Sequence, residues 1–419
     1  MLVIYRLLIN IIYFFSPIIF IYRIYKNKED KFRYKEKLSI IKKKRFKGKL
    51  IWLHVSSVGE LLSIIPVLRK FESNKKIKNI LITSSTLSSS KVFLKQKKLK
   101  KTFHQFLPID KVSLIKKFIN FWKPDLAVFV ESEIWPNFIL QLKERKIPLI
   151  LLNARITNRT FLRWNKINFF AKKIFNKFDL CLSQNRETGK YLKELGAKNI
   201  KNLGNLKFSS SEDNRFKTSN DNLSKIFKSK KTWCAASTHA GEETFCAKAH
   251  IQLKKKIKNT VLILIPRHTD RTNEIKADLE ELGLKVHIHS DRNKINKKFD
   301  IYLIDSYGET QKFYSISKSV FLGKSIEPHG GRSGQNPLEA AREGCKIYHG
   351  PYVSNFQEIY SFLNKKRISK RIKTADQLNK YLSYDLNSKQ NNSKKIKNRL
   401  NKIGKIMLKN IYAEVKKFF

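Results

Sequence analysis

From Lys49 to Phe208, short apolar runs rich in β-branched residues alternate with longer stretches whose apolar positions repeat at helical spacing. The expected strands are Leu50 to Val55, Ile80 to Thr83, Leu126 to Val130, Pro148 to Leu152 and Leu180 to Ser183. Such alternation builds a parallel sheet with crossover helices. Residues 209–222 interrupt it with one large apolar residue, Phe216, among many turn formers, and read as a linker. The pattern restarts with Thr232 to Ala236, Thr260 to Ile265, Lys285 to His289, Asp300 to Ile304, Ser319 to Leu322 and Cys345 to His349. The expected fold class is therefore α/β, with two successive doubly wound domains at 26–208 and 223–390. The tail, 391–419, keeps Leu400, Ile403, Ile406, Met407 and Ile411 at helical spacing and reads as an amphipathic helix.

Ahead of the first strand, residues 7–22 carry no charge, and with Met1 to Tyr5 they form an apolar segment broken only by Arg6. A bilayer span needs ~20 apolar residues, a length reached here only if Arg6 snorkels or the helix tilts. Pro17 also argues against one straight helix. Residues 1–25 are thus expected to be a hydrophobic anchor helix, either spanning the membrane or embedded on one side of it. Dense Lys and Arg between Lys26 and Lys49 place the following body on the cytoplasmic side by the positive-inside rule. A cleaved signal peptide fits less well, because no small-x-small cleavage site follows.

Composition changes this picture in one respect. The 419 residues suffice for two cores, and 41% hydrophobic content excludes a wholly disordered chain. Against that ordinary background, 87 Lys and Arg face 34 Asp and Glu, leaving +53. Such a field attracts anions: nucleic acid, anionic lipid head groups or phosphorylated substrates. Because the charge is spread along the chain with abundant Ile and Asn, compositional drift toward Lys explains it equally well. Cys181, Cys234, Cys246 and Cys345 have no C-x-x-C spacing and the nine His are dispersed, so neither a disulfide framework nor a dedicated metal site is expected.

Candidate chemistry gathers at strand ends. Glu60 closes Trp52-Leu-His-Val-Ser-Ser-Val-Gly-Glu60, and Glu131 opens Glu131-Ser-Glu-Ile-Trp-Pro-Asn137, each just beyond an expected strand. Ligands of open α/β sheets lie outside the carboxyl ends of the strands, which gives these acids weight over carboxylates that only complement a helix dipole. Period-2 alternation turns Glu131 and Glu133 the same way, and Glu131 is the nearer to the sheet. Lys207, before the linker, is expected at the interdomain cleft as a cation that stabilises a departing phosphate. In the second domain four strand-to-helix turns suit an anion. Ala235 to Gly241 supplies hydroxyls and a glycine, and Pro266-Arg267-His268 a guanidinium for phosphate oxygens. Tyr307-Gly308-Glu309 precedes another helix. The glycine-rich run from Leu322 leads to a helix with Asn336 as N-cap, Pro337 at its first position, then Leu338 and Glu339. Together the four turns describe a nucleotide pocket.

These motifs, in this order, resemble the 3-deoxy-D-manno-octulosonic acid (Kdo) transferases that act on lipid A precursors. The resemblance rests on the apolar N-terminus, His-x-x-Ser-Val-Gly-Glu60, Glu131 to Asn137, Asn153-Ala-Arg155, Ser237-Thr-His-x-Gly-Glu242, Pro266-Arg-His268 and Asn336-Pro-Leu-Glu339. It implies a GT-B fold of two Rossmann-like domains facing a cleft, with the acceptor on the first and CMP-Kdo on the second. It further implies Glu60 as general base, with Glu131 and Lys207 assisting the transition state. CMP contacts are implied for Pro266, Arg267, Tyr307, Gly308, Glu309, Asn336, Pro337, Leu338 and Glu339. One departure from the family pattern is Arg332-Ser333-Gly334, which stands between Gly331 and Gln335 as a loop insertion and leaves open whether Gly330 and Gly331 contact phosphate.

The expected function is an inverting, metal-independent glycosyltransferase that moves Kdo from CMP-Kdo to lipid IVA at the cytoplasmic face of the inner membrane. CMP-Kdo is its donor substrate, no cofactor is expected, and its partners are lipid IVA and the anionic membrane surface, with no nucleic acid. Two other readings stay open: a GT-B lipid glycosyltransferase using a UDP-sugar, and a non-catalytic basic protein that binds nucleic acid or membranes.

Overall fold

The computed structural model describes residues 1–96, 99–209, 226–227, 229–294, 298–330, 333–388 and 392–419. It divides into two compact units, Met1–Ser211 with Ile403–Phe419, and Glu212–Lys402. Each unit carries one seven-stranded sheet. From Ser210 onward the expected linker lies outside the described residues.

The first sheet is built from β1 (Leu50–Val55), β2 (Asn79–Ser84), β3 (Thr102–Phe106), β4 (Leu126–Val130), β5 (Leu149–Ala154), β6 (Leu180–Ser183) and β7 (Ile200–Asn202). All pairings are parallel, in the order β3-β2-β1-β4-β5-β6-β7. Five of these strands are buried at every position. Helices cover both faces of such a sheet, so its strands read as continuous apolar runs rather than alternating ones. The apolar pattern misses β3, because three of the five residues in its Thr-Phe-His-Gln-Phe are polar and are accommodated by side-chain partners. His104 Nε2 meets Ser84 Oγ at 2.8 Å, and Gln105 Oε1 accepts from Trp122 Nε1 at 3.0 Å. From β1 the chain moves outward to β2 and β3, then returns to the other side of β1 for β4. Connections leaving β1 and β4 in opposite directions open a crevice at their carboxyl ends.

A single N-terminal anchor helix is not what forms. Residues Leu2–Phe14 (α1) and Ser16–Tyr25 (α2) are two helices bent by 55°, and among the described residues no single helix is long and apolar enough to cross a membrane. Pro17, in the first turn of α2, has no N–H to continue the ladder of α1, and Ser16 Oγ donates instead to Tyr13 O at 2.7 Å. The pair is tied to its own unit by Tyr5 Oη donating to Asp110 Oδ2 at 2.5 Å and Arg6 Nε donating to Asn137 Oδ1 at 3.0 Å. Large apolar side chains along it, such as Val3, Leu7, Phe14, Ile18 and Ile21, remain exposed. At the other terminus one helix spans Asn392–Val415. Its Ile411 and Val415 are buried in the core of the first unit, whereas Ile406, expected on the apolar face, is exposed.

The second sheet comprises β8 (Lys231–Thr238), β9 (Thr260–Pro266), β10 (Val286–Ile288), β11 (Ile301–Leu303), β12 (Ser319–Leu322), β13 (Lys346–His349) and β14 (Ser369–Arg371). It is likewise parallel, ordered β10-β11-β9-β8-β12-β13-β14, with the change of direction between β8 and β12. Glu242, at the start of the helix Glu242–Lys256, clasps the two strand ends. Its buried Oε2 accepts from the backbone N–H of His239 (3.0 Å) and Lys324 (2.7 Å), and Oε1 from those of Ser325 (2.8 Å) and Ile326 (3.1 Å). A Cβ at residue 323 would lie 2.6 Å from Glu242 Oε2 and 2.5 Å from Ser237 O, so only glycine allows the clasp to close. Replacing Glu242 by Ala orphans four N–H groups at once. The expected loss is about 3 kcal/mol or more of stability in the second unit, read by chemical denaturation of the full chain; an unchanged transition contradicts the role.

Candidate active site

At the carboxyl end of β1 the chain turns through Ser56 and Ser57 into the helix Val58–Glu72. Ser57 is the N-cap, and its Oγ accepts from Glu60 N–H at 3.3 Å. Glu60 reaches back, Oε1 accepting from Ser57 Oγ at 2.9 Å and Oε2 from Ser56 N–H at 2.7 Å. This reciprocal cap fixes the carboxylate at the helix mouth. Burial raises the Glu60 pKa. The Ser56 and Ser57 hydrogen bonds oppose the shift, the charges of Glu133 and Glu131 add to it, and the net displacement is upward from the ordinary carboxylate range. The helix cap thus holds a carboxylate whose affinity for a proton is raised.

Across the crevice, Glu131 follows β4 with φ 56°, a left-handed conformation unusual for a residue with a Cβ. Its backbone stays tied to β5, N–H to Leu152 O at 3.0 Å and O from Arg155 N–H at 3.2 Å, while the side chain is redirected. Glu131 Oε1 pairs with Lys207 Nζ at 2.9 Å and accepts from Asn153 Nδ2 at 3.4 Å. Asn153 Oδ1 in turn accepts from Leu206 N–H at 2.9 Å, which positions the short turn Leu206–Phe208 that carries Lys207. The structure thus brings Lys207 and Glu131 together.

The left-handed residue also breaks the expected period-2 relation between Glu131 and Glu133. Instead of sharing partners, Glu133 Oε2 meets His54 Nε2 at 3.0 Å and Trp135 Nε1 at 2.9 Å. Burial pushes Glu133 upward, but hydrogen bonds from His54, Trp135 and Ser56, with the attraction of His54, leave its pKa below the ordinary range. Sequence reasoning missed this pair. Its signal was present: His54 is a polar side chain in a wholly buried strand, and a buried imidazole needs partners, here Glu133 and Thr83 Oγ1 at 3.0 Å.

In the second unit Pro266 ends β9, and Arg267 donates its backbone N–H to Thr238 O at 2.9 Å while its side chain is exposed. Tyr307 is exposed, Gly308 has φ 90°, and Glu309 Oε2 lies 2.6 Å from His289 Nε2. The expectation of a helix starting at Asn336 needs correction. That helix is Leu338–Arg342, Pro337 occupies the capping position rather than the first helical one, and Asn336 Oδ1 accepts from Leu338 N–H at 3.1 Å. The Asn336 side chain closes a local turn two residues on, as Asx residues do, and defers the helix. Leu338 is buried and Glu339 exposed in the first turn. Tyr307 to Glu309 and Asn336 to Glu339 lead into neighbouring short helices, joined by Gln311 Nε2 donating to Glu343 Oε1 at 3.1 Å. Arg267 follows β9, which lies between β11 and β8 on the same carboxyl edge. Of the departing loop, Gly331 and Arg332 lie outside the described residues.

A family model described as 3-Deoxy-D-manno-octulosonic-acid transferase (kdotransferase) matches residues 32–210. The 3-deoxy-D-manno-octulosonic acid transferase of Rickettsia bellii (strain RML369-C) is 34% identical over 381 residues, covering 91% of this chain and 89% of the relative. That of Haemophilus influenzae (strain ATCC 51907 / DSM 11121 / KW20 / Rd) is 33% identical over 350 residues, covering 81% and 80%. Among solved structures, a UDP-N-acetylglucosamine 2-epimerase aligns with a TM-score of 0.60 at 12% identity over 89% of this chain and 96% of that one. At that identity the likeness concerns the fold alone: two parallel-sheet α/β units of the GT-B-like kind. Two relatives above 30% identity, matched over most of both lengths, make this chain a member of the 3-deoxy-D-manno-octulosonic acid transferase family.

Proposed function

We propose that the protein transfers Kdo from CMP-Kdo to a sugar hydroxyl of lipid IVA, with inversion at the anomeric carbon and without a metal ion. The observation that carries the mechanism is the Glu60 carboxylate, held by its own helix cap at the β1–β4 crevice with its pKa displaced upward. A sugar hydroxyl is a poor nucleophile until its proton is taken, and a base titrating closer to neutrality accepts that proton with more driving force. Each Glu60 oxygen keeps a lone pair beyond its capping bond. As the proton moves to Glu60, the acceptor oxygen bonds to the anomeric carbon and the bond to the CMP phosphate breaks, its electron pair leaving with CMP.

Glu131 and Lys207 form a fixed pair beside the base, the cation available to developing negative charge. On the donor side we assign CMP to Pro266, Arg267, Tyr307, Gly308, Glu309, Asn336, Pro337, Leu338 and Glu339. Arg267 meets the phosphate as an exposed guanidinium at a strand's carboxyl end. The exposed apolar side chains of α1 and α2, followed by a basic flank, suit immersion in the cytoplasmic leaflet, where a lipid acceptor is presented.

The assay is transfer of labelled Kdo from CMP-Kdo to lipid IVA, with the lipid product identified by mass. Transfer from UDP-sugars in its place overturns the donor assignment. Glu60→Gln should lower the rate by about 10²-fold or more while CMP still binds, since the base lies on the other unit. Loss of CMP binding would refute that division of labour. The pH profile follows in sign: raising the Glu60 pKa enlarges its protonated, inactive fraction at a given pH, so kcat/KM falls as pH drops through a value above the ordinary carboxylate range. Because the Glu133 charge contributes to that elevation, Glu133→Gln should move the inflection to lower pH.

A further inference from the structure

Three imidazoles meet at the carboxyl edge of the second sheet and have no part in the mechanism above. His239 follows β8, His268 follows β9, and His329 lies in the loop after β12. Ring centroids of His239 and His268 are 5.7 Å apart with planes at 84°, and those of His239 and His329 are 5.2 Å apart at 49°. His268 is exposed and the other two are half-buried, so the cluster faces solvent rather than filling a core. Its geometry is fixed from beneath. His239 gives its backbone N–H to Glu242 at 3.0 Å and holds Nδ1 3.2 Å from Ser237 O, while His329 N–H donates to Ser333 Oγ at 2.9 Å. A ring that donates Nδ1–H to a carbonyl presents Nε2 outward, where it donates to a carboxylate once the ring is protonated.

Burial and the charges of His329 and Lys324 lower the His239 pKa, and the Ser237 carbonyl and Glu242 only partly oppose that shift. The free ring is therefore held neutral, and an anion placed beside it favours uptake of its second proton. Glu242 is the acid of this set, and its two oxygens are taken up by four backbone N–H groups. A group of imidazoles and a lysine gathered at an open edge is the composition of an anion site. Among the described residues no set of three or more His, Cys, Asp or Glu side chains is placed to hold a metal ion.

We propose that His239, His268 and His329 form the subsite for the carboxylate of the donor sugar, a reading that rests on the CMP-Kdo assignment above. Kdo is a 2-ulosonic acid, so its carboxylate and the phosphate oxygen are bonded to the same carbon, and two anions must be received side by side. Arg267 and His268 follow one another at the end of β9, so groups suited to the phosphate and to the carboxylate leave the same strand end. A neutral hexose carries no second anion at this carbon, and the cluster thereby selects an acidic sugar over a neutral one.

The test compares CMP-Kdo with CMP on the full-length protein. His239→Asn, His268→Asn and His329→Asn should each raise the KM for freshly generated CMP-Kdo by about tenfold, the loss expected of one charge-assisted hydrogen bond. The Kd for CMP, measured by calorimetry on the same preparations, should stay within about twofold of wild type, which also shows that each variant is folded. Equal weakening of CMP and CMP-Kdo places the histidines on the nucleotide and overturns the proposal, as does an unchanged KM. His268 is exposed, so its variant tests the subsite even if His239→Asn fails to fold. A wild-type protein that binds no CMP fails at the donor assignment itself, a result distinct from the loss of sugar discrimination.

Discussion

A carboxylate can be kept in a largely buried place only if fixed donors or cations meet it, and the functional architecture of both units depends on that constraint. Parallel sheets supply the place, because connections diverge on either side of the first strand and leave its carboxyl end uncovered. In the first unit the acids at this opening are held in three different ways. Glu60 is held by its own helix cap, Glu131 by Lys207 and Asn153, and Glu133 by His54 and Trp135. The different partners have different consequences for protons. Neutral capping bonds leave Glu60 displaced upward, whereas His54 and its neighbours hold Glu133 down. Neighbouring carboxylates whose environments separate their pKa values are suited to different tasks.

The second unit solves the same problem differently. Glu242 sits at the equivalent opening, between β8 and β12, but its two oxygens are consumed by backbone N–H groups from both strand ends. This acid shapes turns, and the proposed donor contacts fall on what the turns present: Arg267, the three imidazoles, and the loops leading to Glu309 and Asn336. Gly323 allows the clasp by omitting a side chain where Glu242 and Ser237 approach. The contrast between Glu60 and Glu242 shows that position at a strand end does not by itself make an acid reactive. What its oxygens have left to offer decides the matter.

Much of this was readable from sequence because buried parallel strands write themselves as apolar runs. Leu50 to Val55, Leu126 to Val130, Leu180 to Ser183 and Ser319 to Leu322 have the expected bounds. Strands that carry polar side chains inward or lie at an edge, such as β3, β7 and β14, lack that signature. Glu60 and Glu131 are legible as strand-end acids, yet the separation of Glu131 from Glu133 is not. It follows from one left-handed φ, which no alternation rule anticipates. The pairing of His54 with Glu133 is not legible because the two lie 79 residues apart in the chain. The bend between α1 and α2 was foreshadowed by Pro17, while the late start of the helix at Leu338 reflects competition by the Asn336 side chain for the same N–H.

The central claim is that Glu60 is the base, made so by burial and neighbouring charge. The most direct measurement is its own titration, followed by carboxyl-¹³C NMR of glutamate-labelled protein, the signal assigned by its disappearance in Glu60→Gln. The expected result is an inflection above the ordinary glutamate range. A Glu60 that titrates at or below that range would contradict it.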